Sequence, residues 1–343
     1  MVEISKIMEE YFSGLKDTTL KNLSYVVEGI ICCGRASVWH AAQAMSTVNN
    51  QSFKTNEKRG NRLLQDRNFQ IDDSMFRKYI KILFKALRER KMLREEERIQ
   101  INIDYTTDND DFLILMSSIK FGSRAVPLYF SMRLYPKRKN QSDQKKMEAS
   151  FMRALRHLLP KIYNYTIVAD RGFGNQRFAK LCEENGFDYV LRINENLKIE
   201  REGIIENLEK YKGKNKKFKA RVVSWNKEYS FEIRTKNDST WFLMMPSYSK
   251  SGAKEYEQRF SIEKCFQDQK SSGFEIEKCK IMKYDRFKRL YFSVCLAQLL
   301  IVIAGEYIET EDHPIKKTFP ITAGLISAFS KLDLNYFNIA SQR

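Results

Sequence analysis

Residues 98–134 read RIQINIDYTTDNDDFLILMSSIKFGSRAVPLYFSMRL. Ile99, Ile101 and Ile103 alternate with Gln100, Asn102 and Asp104, the period-two signature of a strand with one apolar and one polar face. Asp104 falls on the polar face near the strand's end, and the acidic TTDNDD after it reads as a turn. Phe112 to Phe121 and Ala125 to Leu134 are two further apolar runs, separated by Gly122 and Ser123. The spacing predicts an antiparallel meander of three strands.

Downstream, Asp143 to Leu159 has helical character and stops at Pro160. Tyr165 to Ala169 (YTIVA) is a short continuous apolar run, as expected of a strand covered on both faces. Asp170 sits at its C-terminal end and RGFG follows. A helix over Asn175 to Asn185 ends at Gly186, and Tyr189 to Ile193 forms another strand. The order β-β-β-α-β-α-β is that of a ribonuclease H-like α/β fold with a mixed sheet. Asp104 and Asp170 become neighbours in that topology, and ligands in such sheets gather outside strand C-termini. Residues 194–240 interrupt the pattern with strand-like runs at Arg221 to Ser224 and Tyr229 to Arg234. They also contain KGKNKKFKAR, so we read a β insertion projecting a cationic loop; a lysine loop without function is the alternative. Trp241 to Met245 returns as a strand.

Glu255 to Gly273 (EYEQRFSIEKCFQDQKSSG) reads as one helix with Phe260, Ile262, Cys265 and Phe266 buried. Tyr256, Arg259, Glu263 and Lys270 then fall within an arc of roughly 60°. A carboxylate flanked by phosphate-binding cations suits metal-dependent phosphodiester chemistry. A solvated face with stabilising i,i+4 pairs is the plainer alternative.

The first 95 or so residues are helical in pattern, with Leu20, Leu23, Val26, Val27, Ile30 and Ile31 before a break at Gly34. Ser37 to Met45, Lys58 to Phe69 and a basic amphipathic stretch from Ser74 to Arg90 follow, with Arg59 and Arg62 beside Leu63 and Leu64. Such a module suits docking on DNA. An ordinary helical domain with solvated lysines has the same pattern. With 60 Lys and Arg against 43 acidic residues, the chain carries +17, which makes a polyanion the leading partner class. The 43% hydrophobic content argues against global disorder.

The six cysteines form no zinc-type spacing with the three histidines, which points to reduced thiols in a cytoplasmic protein. No signal peptide is read at the amino terminus. The most apolar segment, Leu290 to Ala304, reads as a buried helix, and a small helical tail over 306–343 follows the catalytic unit of 96–305.

Asp104, Asp170 and Glu263 are three carboxylates that this topology can gather. Such a donor set favours a hard cation, Mg²⁺ or Mn²⁺, and two such ions suit phosphodiester hydrolysis. Asp108, Asp110 and Asp111 are rivals to Asp104 in the adjoining loop.

The helix pattern Y-x2-R-x3-E-x6-K resembles that of bacterial insertion-sequence DDE transposases in the YREK-motif group, the insertion-sequence-four-like enzymes. IDYT around Asp104 and VADRGF around Asp170 are similar to that family's acidic motifs, and KRGNRLLQDRNF resembles its amino-terminal DNA-binding segment. The resemblance covers about residues 55 to 305. It implies cut-and-paste transposition by a homodimer on double-stranded DNA: the paired terminal inverted repeats, then target DNA. In the better-known members a DNA hairpin is the intermediate. It further implies that Asp104, Asp170 and Glu263 are catalytic metal ligands, and that Tyr256, Arg259 and Lys270 hold phosphates. Trp241 would stack on a flipped base, unless it is simply a core residue, and Arg192 would contact DNA. The setting expected is bacterial, at the nucleoid. A ribonuclease H-like endonuclease that cuts without joining, or an inactive transposase serving as a DNA-binding protein, are the alternatives.

Overall fold

The computed structural model describes residues 2–93, 98–108, 111–135, 141–237, 239–246, 252–270 and 273–310. Among them the chain opens with α1 (Val2–Phe12), α2 (Asp17–Cys33), α3 (Val38–Asn49), α4 (Phe53–Gln65) and α5 (Asp73–Glu89). Ser37, Ser52 and Asp72 start α3, α4 and α5 by accepting from the backbone N–H of His40, Thr55 and Met75. The Ser52 cap explains why α4 begins at Phe53 and not at Lys58, where the basic run drew the expected boundary.

The sheet follows with β1 (Ile99–Asp108), β2 (Phe112–Phe121) and β3 (Arg124–Leu134), then α6 (Gln141–Leu158), β4 (Tyr165–Ala169), α7 (Gln176–Glu184) and β5 (Asp188–Arg192). The meander is antiparallel, while β1 pairs β4 and β4 pairs β5 in parallel. Gly122 turns the β2–β3 hairpin at a φ of 59°, and a Cβ there would collide with the Glu306 carboxylate that accepts from Ser123 N–H at 3.0 Å. Residues 194–240 do not leave the sheet. They form β6 (Lys198–Arg201), β7 (Ile204–Asn207), β8 (Lys216–Val222) and β9 (Lys227–Lys236), and β10 (Ser239–Met245) joins them to β5. The described residues thus make one ten-stranded mixed sheet of order β3-β2-β1-β4-β5-β10-β9-β8-β6-β7. Most of KGKNKKFKAR is not a projecting loop: Lys216–Val222 is strand β8, hydrogen-bonded to β9. The β6–β7 hairpin, absent from the sequence reading, turns on Glu202 and Gly203, both at positive φ.

Three helices complete the unit: α8 (Ala253–Arg259), α9 (Ser261–Gln269) and α10 (Tyr284–Thr310). The single helix expected from Glu255 to Gly273 is two, because the chain breaks at Phe260, whose N–H bonds to the Gln258 carbonyl. The polar side of β1 is not solvated. Gln100 donates to the Glu255 carbonyl at 2.8 Å and Asn102 to the Ser261 hydroxyl at 3.2 Å, so α8 and α9 dock on that face. The opposite face carries α6, where Phe151 meets Tyr129 of β3.

The α10 helix is shared by both parts of the molecule. It packs on α2, α4 and β3, and most of its Tyr284–Glu306 stretch, long and apolar enough to cross a membrane, is buried inside the fold. Residues 311–343, most of the expected tail, lie outside the described residues. Arg289 of α10 is 4% exposed and donates to the carbonyls of Phe69 at 2.6 Å and Leu64 at 2.9 Å, tying down the chain end of α4. Arg289→Met leaves both carbonyls buried without a donor. It should lower unfolding free energy by about 2–4 kcal/mol in a urea titration.

Candidate active site

The last paired registers of the β1–β4 ladder are Asn102 with Val168 and Ile103 with Ala169. Asp104 and Asp170 are therefore the next residues on two parallel neighbours, at the end of β4. Asp104 accepts from Tyr105 N–H at 2.8 Å. Asp170 starts a short 3-10 turn, Arg171–Phe173, by accepting from Gly172 N–H at 2.8 Å. Gly174 then passes so close to β5 that a Cβ would collide with the Arg192 backbone carbonyl. Burial first, and the charge of Asp170 second, push the Asp104 carboxyl up to about 6 against the pull of Arg259.

Arg259, the last residue of α8, is the cation between the acids. Its side chain is buried, and it donates to Asp104 Oδ2 at 3.0 Å and to Glu263 Oε1 at 2.7 Å. Its guanidinium also lies 5.5 Å from the Tyr256 ring centre and 5.1 Å from that of Phe260. Burial works against its charge, but Tyr256, Asp104, Glu263 and Asp170 more than offset this and hold it above the usual arginine value. Glu263, in the first turn of α9, keeps about half its side chain in solvent. Among the described residues, no three acidic, histidine or cysteine side chains form a group that could hold a metal ion, so Asp104 and Glu263 meet through the guanidinium.

Other residues singled out in the sequence lie around this centre. Tyr256 is fully buried with no partner for its hydroxyl, and its ring meets Trp241 edge-on at 5.1 Å. Trp241 is 8% exposed, in a small apolar cluster with Val168, Val190, Leu243 and Met245. Its indole is committed to packing, and stacking on a base requires its release. Lys270 does not share the Arg259 stripe: it follows α9 and pairs with Glu277 at 3.0 Å. Its charge acts on Asp108, four residues beyond Asp104 on β1, or about 13 Å along a strand. Asp108 is 3% exposed with one oxygen unpartnered, Asp111 bonds back to its carbonyl, and Asp110 lies outside the described residues. Arg192 closes β5. Arg59 lies over the Tyr25 ring at 5.8 Å, and Arg62 is exposed in the last turn of α4. The six cysteines are free thiols.

Residues 131–300 match the transposase DDE domain family. The match supports a DDE transposase. It spans Asp170, Arg259 and Glu263 and begins in β3, beyond Asp104. Enzymes of this kind act on DNA and generally use divalent metal ions. A search of curated proteins finds no match. Among solved structures the NurA nuclease from Sulfolobus solfataricus is similar over 68% of this chain and 96% of its own, at 12% identity and a TM-score of 0.30, too low to carry an argument.

Two substitutions probe the surroundings of these aspartates. Gly174→Ala has to push the Asp170 turn away from β5; it should cost about 1–3 kcal/mol in unfolding experiments and reduce DNA cleavage. Asp108 is raised from 3.8 to about 6 by burial first and Glu277 second. The fold therefore favours its neutral form, and that contribution is lost as pH rises through about 6. Asp108→Asn should stabilise the protein by about 1–2 kcal/mol at pH 8, and the gain should vanish near pH 4, in denaturant titrations at the two pH values.

Proposed function

We propose that the chain is a cut-and-paste DNA transposase of the YREK-motif group, with Asp104, Asp170 and Glu263 as its catalytic acids. The observation that carries this reading is the juxtaposition at Arg259: one buried guanidinium bonded to Asp104 and Glu263 and in the field of Asp170. The β3-β2-β1-β4-β5 half of the sheet supports a ribonuclease H-like catalytic domain over 96–305, with 194–240 as its β insertion. Residues 1–95 form the DNA-docking module in this reading, presenting Arg59 and Arg62, and the tail is 306–343.

The donors suit a hard divalent cation. They are carboxylate oxygens only, and ionisation of Asp104 is opposed by Asp170, a conflict that positive charge relieves. Asp104, Asp170 and Glu263 would hold Mg²⁺ or Mn²⁺, as two ions, supplying Lewis acidity at the phosphodiester and an activated water or 3′-hydroxyl. Around them, Arg259 keeps Asp104 and Glu263 in one place, and release from either acid would free a guanidinium arm for a phosphate. Arg192 is a further DNA contact in this reading, as are Tyr256 and Trp241 once released from their apolar cluster and Lys270 once released from Glu277, on paired inverted repeats held by a homodimer and cleaved through a hairpin.

A strand-transfer assay with Mg²⁺ tests the proposal. End DNA joined to a target supports it. Nicking without joining indicates an endonuclease, and binding alone an inactive relative. Glu263→Ala should reduce cleavage to background while end binding stays within about twofold in a gel-shift titration; retained cleavage would remove Glu263 from the site.

A further inference from the structure

The β1–β4 ladder stops one residue before the two aspartates, at Ile103 and Ala169. Beyond it β4 turns away into Arg171–Phe173, while β1 continues to Asp108 with β2 as its backbone partner. Backbone pairing alone therefore does not set the gap between Asp104 and Asp170. The described side chains that span this gap on the other face of β1 begin at Tyr105, the residue after Asp104.

The Tyr105 ring stacks on Phe173, three residues after Asp170, with centroids 5.3 Å apart and planes 4° from parallel. Phe173 is in turn held by Phe178 of α7 at 4.8 Å. The Tyr105 hydroxyl donates to Glu148 Oε1 of α6 at 3.0 Å, and Arg177 of α7 pairs with the other Glu148 oxygen. Glu148 is 4% exposed. Burying a carboxylate against a partly exposed guanidinium is a poor route to stability compared with apolar packing, but it specifies one geometry. Here that geometry includes the ring angle of the residue beside Asp104.

We infer that Tyr105 is a positioning residue that sets the separation of Asp104 and Asp170, through its stack on Phe173 and its hydrogen bond to the Glu148–Arg177 pair. The ring ties the end of β1 to the turn that carries Asp170, and the hydroxyl fixes the ring's rotation. The inference rests on the proposed reading of the two aspartates as cation ligands.

The test is Mn²⁺ binding to the full chain without DNA, read as free Mn²⁺ by electron paramagnetic resonance, for wild type, Asp104→Ala, Tyr105→Leu, Tyr105→Phe and Glu148→Gln. Asp104→Ala should abolish the site. Tyr105→Leu should weaken Mn²⁺ binding about tenfold, the order of effect seen when groups supporting metal ligands are removed. Tyr105→Phe and Glu148→Gln should fall between it and wild type. The Mg²⁺ concentration giving half-maximal cleavage should rise in the same order, with affinity for end DNA unchanged. Wild-type Mn²⁺ affinity in Tyr105→Leu, with the site lost in Asp104→Ala, overturns the inference and leaves the aspartates in place. Wild-type affinity in Asp104→Ala overturns the underlying reading. Should Tyr105→Leu fail to fold, Tyr105→Phe decides: unchanged Mn²⁺ affinity at an unchanged melting temperature rejects the positioning role.

Discussion

A buried guanidinium needs anions, and the site is arranged around how Arg259 finds them. One arm reaches Asp104 on β1 and the other Glu263 on α9, with the rings of Tyr256 and Phe260 against the cation. Because α8 ends at Arg259 and α9 begins at Ser261, the pair spans the break at Phe260. Removing Asp104 would leave the buried guanidinium only the half-exposed Glu263 as a hydrogen-bonded acid. The same bonds fix α8 and α9 on the sheet, so the geometry of the acidic site and the packing of this layer are one problem.

Strand β1 serves two layers. Its even-numbered residues Gln100, Asn102 and Asp104 face α8 and α9 through hydrogen bonds and an ion pair. Its odd-numbered residues Ile101 and Ile103 belong to the apolar core, and Tyr105 extends that side to Glu148. A period-two strand between two helical layers can thus hold an ionised group on one face and clamp it from the other. Further on, α10 joins the sheet to the amino-terminal helices through its apolar length and the Arg289 hydrogen bonds, which makes the two parts share one core.

Strands β1 to β5 were legible because alternation, Gly122, Pro160 and Gly186 mark local events, and local events are written in local residues. The neighbouring registers of Asp104 and Asp170 follow from strand order for the same reason. The insertion was harder to read: Lys216 and Lys217 look like loop residues until β9 supplies their hydrogen-bond partners. The break at Phe260 had no proline or glycine to announce it, so the four residues of the helix motif were projected onto one straight stripe. In three dimensions Lys270 leaves that stripe for Glu277 and Asp108. Tyr256 and Trp241 face each other in an apolar cluster that no spacing rule could pair. The bridging role of Arg259 was likewise hidden, since its partner Asp104 lies 155 positions away in the chain.

The most direct measurement is anomalous diffraction from crystals of the full chain grown with Mn²⁺. The account predicts anomalous peaks at the carboxylates of Asp104 and Asp170, with Glu263 contributing and Arg259 displaced from at least one of its two partners. Bound Mn²⁺ located only elsewhere, with Asp104 and Glu263 still joined by Arg259, would contradict it.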